Sequence, residues 1–516
     1  MNATQKREKD WFRLKRYPHI GFPLQPNDKG WIEKYVSDKN KISKHAFFPF
    51  IHRKTETRKF RKEICHDGSR SILRKPTFKE RELYYSNHLD ANIYSYYSQL
   101  ISIEYEKKLH DAGINNCVTA YRRLKLNPSI PNSRNKCNVD FANEIFSYIK
   151  NSREPELVAI TFDIKCFFDN INHKKLKKVW KQIVPEFSDD HYNVFRNITK
   201  FSYVEENQIF EAFKTKILVE RQPALIKNKS VGKRFYLRNK RAIAFCENDE
   251  IKFIRNKGLI KANKYVYDNA NKKVLKLRHK GIPQGSPISA VLANVYLFEF
   301  DKSANDLLTH LHGIYRRYSD DMVVVCKSDY MKTVIDFFTD KIKDYCLEIQ
   351  DSKTQIFSFK FDKSSNRFIC RQKNLKTNKL QNNTKFEYLG FQFDGKNTLL
   401  KNSSIASYYR KMKRSFARGT FYAFHNNTNT KGQLFKSRLY KRFTYLGAER
   451  RRIYKRDKTH KDRFILSHKF DWGNYLTYAQ LAANIIDDNK ISNQIKRHWN
   501  NFHKLIDNFK KGITEK

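Results

Sequence analysis

Two acidic side chains stand together in the stretch YRRYSDDMVVVC, where Asp320 and Asp321 separate the pair Arg316 and Arg317 from a run of three valines. Neighbouring carboxylates repel, which destabilises both unless a cation lies between them. Met322 to Val325 read as a buried strand, so the acids open that strand at a tight turn. Two aspartates in a turn are by themselves more often the mark of an exposed β-turn than of a site. A second strand of the same design lowers the weight of that bland reading: ELVAITFDIKCFF, Glu156 to Phe168, is an apolar β-rich run whose strand ends on Asp163. If strand and hairpin are antiparallel neighbours, three carboxylates converge. Such an oxygen-rich cluster suits Mg²⁺, which takes few protein ligands and completes its shell with substrate phosphates. Two such ions about 4 Å apart activate an attacking 3′-hydroxyl and stabilise leaving pyrophosphate.

Several segments have the pattern needed to hold these strands. Ser86 to Lys107 and residues 140–150 carry apolar and aromatic residues at helical spacing. GIPQGSPISAVLANVYLFEFD, Gly281 to Asp301, reads as a Gly-Pro turn followed by a helix with Ser286 as N-cap and Pro287 at the first helical position. Ile288, Val291, Leu292, Val295 and Phe298 then form one buried face. Residues 330–346 read as a helix, LEIQDSKTQIFSF as turn and strand, and KFEYLGFQF as a short aromatic hairpin. After Lys401 the pattern is helical: a basic amphipathic segment, then two or three helices over residues 474–509. Residues 186–280 have weak periodicity and read either as a nucleic-acid-facing insertion or as a solvated loop region, and residues 1–65 as a basic extension that packs on something else.

The totals point the same way. A chain of 516 residues with 40% hydrophobic content, including 40 Phe and 29 Tyr, builds real cores and suggests roughly two to four structural units. Its 103 Lys and Arg exceed 53 Asp and Glu by 50, spread along the chain. A folded protein this basic most often neutralises a phosphate backbone. Anionic membrane is the rival, but no apolar run approaches the roughly 18 residues of a span. The opening MNATQKREKDWFRLKRYPHI has no apolar core of a secretory leader. Eight cysteines without a C-x-x-C pair argue for reduced thiols, a cytoplasmic location and no zinc site.

Five segments, in order, resemble the palm motifs of reverse transcriptases: FDIKCFFDNINH, GIPQGSPISAVLANVYL, YSDD, LEIQDSKT and FEYLGF, between Phe162 and Phe391. The resemblance is to bacterial members, among them group II intron, retron and defence-associated enzymes. It implies an α+β right-hand polymerase, with fingers and palm (antiparallel sheet and flanking helices) over residues 66–400, interrupted at about 186–280. A thumb helix region at 401–430 and an all-helical C-terminal region at 431–516 follow. By likeness, Asp163, Asp320 and Asp321 are the catalytic, metal-binding triad for two Mg²⁺ ions, with Mn²⁺ as a substitute, and the Ile164 carbonyl is a further ligand. Phe168 falls where these enzymes gate the ribose 2′-hydroxyl, although ordinary core packing also explains it. Gln284 and Gly285 line nucleotide and template, or form only a helix-entry turn. Lys353 resembles a lysine that protonates pyrophosphate, or is a surface lysine. Tyr318 precedes the acids in the primer and template tract, and Tyr388, Leu389 and Gly390 form the primer grip or a plainly packed hairpin. Arg70, Arg74 and Lys75 are candidates for triphosphate contact, and Arg122 for the same nucleic-acid surface.

Cys166 and Ser319 depart from the Gly and the Ala or Met frequent at their positions, and both are small. The N-terminal KRYPHIGFPL and FFPFIH, with the tail NYLTYAQLAANIIDDNKISNQIKRHW, look like the defence-associated and abortive-infection group. That likeness implies antiphage DNA synthesis on a structured noncoding RNA, with deoxynucleotides, nascent DNA and a homo-oligomer as partners and no membrane. Untemplated or protein-primed synthesis on the same fold is the alternative, as is an RNA-binding scaffold with a relict palm.

Overall fold

The computed structural model describes residues 11–64, 70–130, 133–222, 225–267, 274–375, 377, 379–425, 432–447, 452–456, 464–470 and 473–514. Its centre is a six-stranded antiparallel sheet in which the strand Glu156–Asp163 lies between Asp321–Lys327 and Gln355–Asp362. Strand residues alternate between faces, and here both faces are covered. Val158, Ile160, Phe162, Met322 and Val324 enter one core with the helices His88–Asp111, Ser289–Tyr296, Phe298–His310 and Met331–Lys341. Leu157, Ala159, Val323 and Val325 enter the other with Asn138–Lys150 and the C-terminal helices. Continuous apolar runs, rather than alternating ones, are what a sheet buried on both sides requires.

The expected helix after the Gly-Pro turn begins later than its sequence signals. It runs from Ser289, with Ile288 as N-cap, so Ser286 is not the cap. Residues 281–287 are drawn instead into a loop that docks on a neighbouring strand, where the Tyr84 N–H donates to the Gln284 carbonyl at 2.8 Å.

Phe50–Ile64 and Arg70–Tyr85 form one long antiparallel ribbon, paired from Ile51 with Tyr85 to Ile64 with Arg70. A boundary at residue 65 therefore divides two paired strands. The basic extension packs on this chain itself: His19–Ile20 joins Ala242–Cys246 in parallel, and Phe50 to His52 pair with Tyr203 to Glu205. Residues expected as an insertion or solvated loops build a lobe with its own core of Ile20, Ile51, Phe210, Phe213, Val219 and Phe245. Its strands are short, and several of them find partners far away in sequence, so no local period marks them.

Five helices fill the described C-terminal region: Asn402–His425, Lys436–Phe443, Tyr475–Ile486, Asn489–Ile495 and His498–Thr514. It is not all helix, because Arg452–Arg456 and Phe464–Phe470 pair as a two-stranded ribbon. β-Branched and aromatic residues in both segments favour strand over helix. Among the described residues no helix is long and apolar enough to cross a membrane.

His19 and His88 are buried where the N-terminal strand meets the first long helix, their ring centroids 6.3 Å apart. Burial, and then their mutual charge, pushes His19 down to about 3; burial, and then Lys15, pushes His88 down to about 4. A histidine held neutral on folding binds its proton more readily when unfolded, so stability falls as pH drops below about 6.5. Between about pH 7 and 4.5 the loss is expected to be on the order of 2–3 kcal/mol for each of the two histidines. His19→Gln should remove about half of this acid dependence in denaturant titrations, and an unchanged slope would count against it.

Candidate active site

The carboxylates are brought together by strand register. Tyr318 pairs with Asp321, which leaves Ser319 and Asp320 as a two-residue turn, and Ser319 takes the left-handed conformation (φ +62°) such turns demand. Asp321 in turn lies directly opposite Asp163. Opposed residues on antiparallel strands have Cα atoms about 4.5–5.5 Å apart and share a face, so both side chains emerge on the same side. Asp320 is tied in by its backbone, its carbonyl accepting from the Ile164 N–H at 3.2 Å.

Their charges interact. Burial first, then Asp320 and Asp163, push Asp321 up to about 6, against the pull of Lys353 and Lys401. The Lys353 ammonium donates to Asp163 Oδ1 at 2.7 Å, so one cation already sits on the cluster. Lys353 is placed there by a short turn in which the Gln350 N–H donates to the Asp163 carbonyl at 2.8 Å and the Lys353 N–H to the Gln350 carbonyl at 2.8 Å.

Among the described residues no three His, Cys, Asp or Glu side chains form a ready-made metal cage. The donor set nevertheless fits Mg²⁺ or Mn²⁺: hard oxygens only, mutually repelling, and too few to close a coordination shell without substrate phosphates.

Several predicted residues surround this centre. Phe168 is half-buried, its ring 5.7 Å from Phe167, and its carbonyl accepts from the Ile282 N–H at 2.9 Å. Phe168 thus both packs on the core and adjoins the PQG loop. Gly285 has φ +118°, and a Cβ there would lie 2.7 Å from the Tyr84 carbonyl oxygen; only glycine allows this approach. Leu389 and Gly390, both at positive φ, turn the hairpin between Tyr388 and Phe391. Tyr388 is buried, and burial followed by the Asp321 charge pushes its hydroxyl upward. Tyr318 is half-buried beside Phe141, its hydroxyl likewise pushed up by burial first and then by Tyr121 and other neighbours, Asp321 among them.

Other candidates stand elsewhere. Arg122 is not on a nucleic-acid surface: its side chain is 3% exposed, paired with Glu106, and its Nη1 donates to the Asn115 and Val118 carbonyls. It braces a loop, because four acceptors converge on it. Arg74 and Lys75 lie on the ribbon opposite Lys62 and Arg61, roughly 30 Å along the strand from Tyr84. Arg70 opens that strand, and its side chain is outside the described residues.

Arg317, Asp301 and Lys401 carry weight that their sequence context does not announce. Arg317 and Asp301 form a fully buried pair, and Arg317 Nη1 donates to the Ser319 carbonyl at 3.1 Å, inside the acidic turn itself.

An antiparallel sheet that brings acids together at adjoining strand ends is an arrangement suited to two-metal phosphoryl-transfer chemistry. Residues 235–393 match the family model described as reverse transcriptase (RNA-dependent DNA polymerase), so the chain carries a reverse transcriptase domain. The match covers Asp320 and Asp321, and strand register adds Asp163 from outside it. No curated protein sequence matches the chain. Among solved structures, apo telomerase from Candida tropicalis aligns at 12% identity and TM-score 0.34, over 80% of this chain and 60% of its own. Telomerase from Candida albicans with a TWJ fragment of telomeric RNA aligns at 14% and 0.33, over 77% and 53%. The chain spans less than two thirds of either telomerase, and likeness at this level carries no argument about its action.

Proposed function

We propose that this protein is an RNA-directed DNA polymerase that works in bacterial antiphage defence, copying a structured noncoding RNA into DNA in the cytoplasm. The observation that carries the catalytic part is the pairing of Asp321 with Asp163, beside a turn that presents Asp320. The defence role and the RNA partner rest on the likeness of the N-terminal and C-terminal segments described above.

Asp163, Asp320, Asp321 and the Ile164 carbonyl would hold divalent cations, which would supply Lewis-acid activation of the primer hydroxyl and charge neutralisation for the leaving pyrophosphate. The protein's own groups do the rest. Gly285 lets the backbone come close to nucleotide and template, and the Phe168 ring restricts space at the sugar. Lys353, within hydrogen-bond distance of Asp163, would hand a proton to pyrophosphate.

Phe168→Ala is expected to raise the ratio of ribonucleotide to deoxynucleotide incorporation by roughly tenfold or more, the range that pocket shape alone commands. Single-nucleotide kinetics with matched dNTP and NTP measure it, and an unaltered ratio removes Phe168 from the sugar gate. Sequencing the RNA that copurifies with the protein and the DNA it makes tests the main reading. DNA complementary to that RNA supports it; DNA unrelated to any supplied or bound RNA points to untemplated synthesis.

A further inference from the structure

We propose that the lobe outside the palm carries a second nucleic-acid site, in which the segment of residues 227–241 binds single-stranded RNA. Between Glu220 and Glu247 the chain has eight Lys and Arg and no Asp or Glu. At the centre of this run Phe235 is 82% exposed, the most exposed large apolar side chain among the described residues, and Tyr236 beside it is 43% exposed. Their rings meet edge to face at 5.8 Å.

This exposure is built. Val231 and Leu237, on either side, are buried in the lobe core. Helical-type bonds close the turn: Tyr236 N–H to the Lys233 carbonyl at 2.9 Å, and Lys240 N–H to the Tyr236 carbonyl at 2.9 Å. Arg234 is pinned to the buried Glu206 at 2.7 Å. Two adjoining rings exposed together and rimmed by polar residues mark an interaction surface. Lys227, Lys233, Arg238 and Lys240 are exposed around it, so the partner is anionic. Aromatic faces among phosphate-binding cations are the chemistry of a single-strand platform, on which bases stack whatever their sequence.

Position supports the assignment. Glu206 also receives Arg53 at 3.6 Å and the Tyr85 hydroxyl at 3.1 Å, both at the base of the long ribbon. Through Glu206 the patch is thus tied to the end of the ribbon strand whose Tyr84 N–H meets the PQG loop. The choice of RNA over DNA rests on the polymerase reading above; the aromatic and basic geometry does not.

The test uses the full chain and labelled oligouridylate, read by fluorescence anisotropy with no deoxynucleotide present. Phe235→Ala with Tyr236→Ala is expected to weaken binding roughly tenfold or more. Lys233→Gln with Lys240→Gln should make the plot of log affinity against log salt shallower by roughly 1.4. Both pairs are on the surface, and thermal melts confirm that each variant folds. Unchanged affinity in the aromatic variant overturns the proposal, and oligothymidylate binding as tightly as oligouridylate overturns the choice of RNA. Capture by phosphatidylserine vesicles that is lost in the aromatic variant, with RNA affinity intact, assigns the patch to a membrane surface instead. Failure of the polymerase reading shows separately, as absence of incorporation by the unaltered protein on a primed RNA.

Discussion

Asp320→Ala combined with Asp321→Ala is expected to abolish Mg²⁺-dependent incorporation of deoxynucleotides, by roughly 1,000-fold or more, while the protein stays folded. The size follows if the three acids hold the charge-neutralising ions as proposed, since two of them are then removed, a contribution of several kcal/mol to the transition state. That folding survives follows from the electrostatics. Asp321 is pushed up to about 6 by burial and by its acidic neighbours, so its ionised form is disfavoured in the ion-free protein, and removing it relieves repulsion. The valine-rich strand behind it, Met322 to Cys326, is fully buried and unaffected. Thermal melts should be unchanged or slightly higher, primer extension on an RNA template should vanish, and phage protection should be lost with it. Extension at the normal rate would reject the palm as the catalytic centre. Full protection by an inactive double variant would instead favour a scaffold with a relict palm.

Much of this centre was legible because it is built from short segments in which local pattern and position agree. The strand ending at Asp163 and the hairpin opening at Asp321 each show an apolar run stopped by an acid, and a sheet covered on both faces writes such runs plainly. Their meeting is a matter of register between residues 158 positions apart, which likeness to a family supplies and periodicity does not. The lobe was obscure for the converse reason. Ser202–Glu205 finds its partner at Phe50 to His52 and His19–Ile20 at Ala242–Cys246, and strands of four and two residues carry no period of their own. Arg122 misled because an arginine in a basic chain looks exposed by default, whereas Glu106 and two carbonyls hold it inside. Ser286 and Pro287 have helix-entry chemistry, but the loop's attachment to Tyr84 outweighs it and delays the helix.

Arg317 poses the same difficulty and the largest consequence for stability. In YRRYSDD it reads as one of two basic residues flanking the acids, yet its side chain and that of Asp301 are both 0% exposed. Its Nε donates to Asp301 Oδ1 at 2.7 Å and its Nη2 to Oδ2 at 2.6 Å, with Tyr315 donating to Oδ1 at 2.8 Å. Burial opposes the guanidinium charge, but the Asp301 carboxylate and its hydrogen bonds outweigh it and hold Arg317 above its ordinary value. Breaking such a pair from one side strands a buried charge and costs about 3–5 kcal/mol. Arg317→Met is therefore expected to destabilise the protein by that amount in denaturant titrations. Arg317→Met with Asp301→Leu removes both charges and should recover most of the loss, since well-packed apolar replacements of buried pairs are often neutral. Activity should not recover with it. Arg317 Nη1 also donates to the Ser319 carbonyl at 3.1 Å and to Asn294 Oδ1 at 3.2 Å, which fixes the turn that aims Asp320. Leaving that carbonyl without its donor costs about 1–3 kcal/mol, enough to let the turn relax. The expected signature is a double variant with near-normal stability, a normal KM for deoxynucleotide and a kcat lowered roughly tenfold or more. Restoration of both stability and kcat would reduce the pair to a structural brace with no part in positioning the acids.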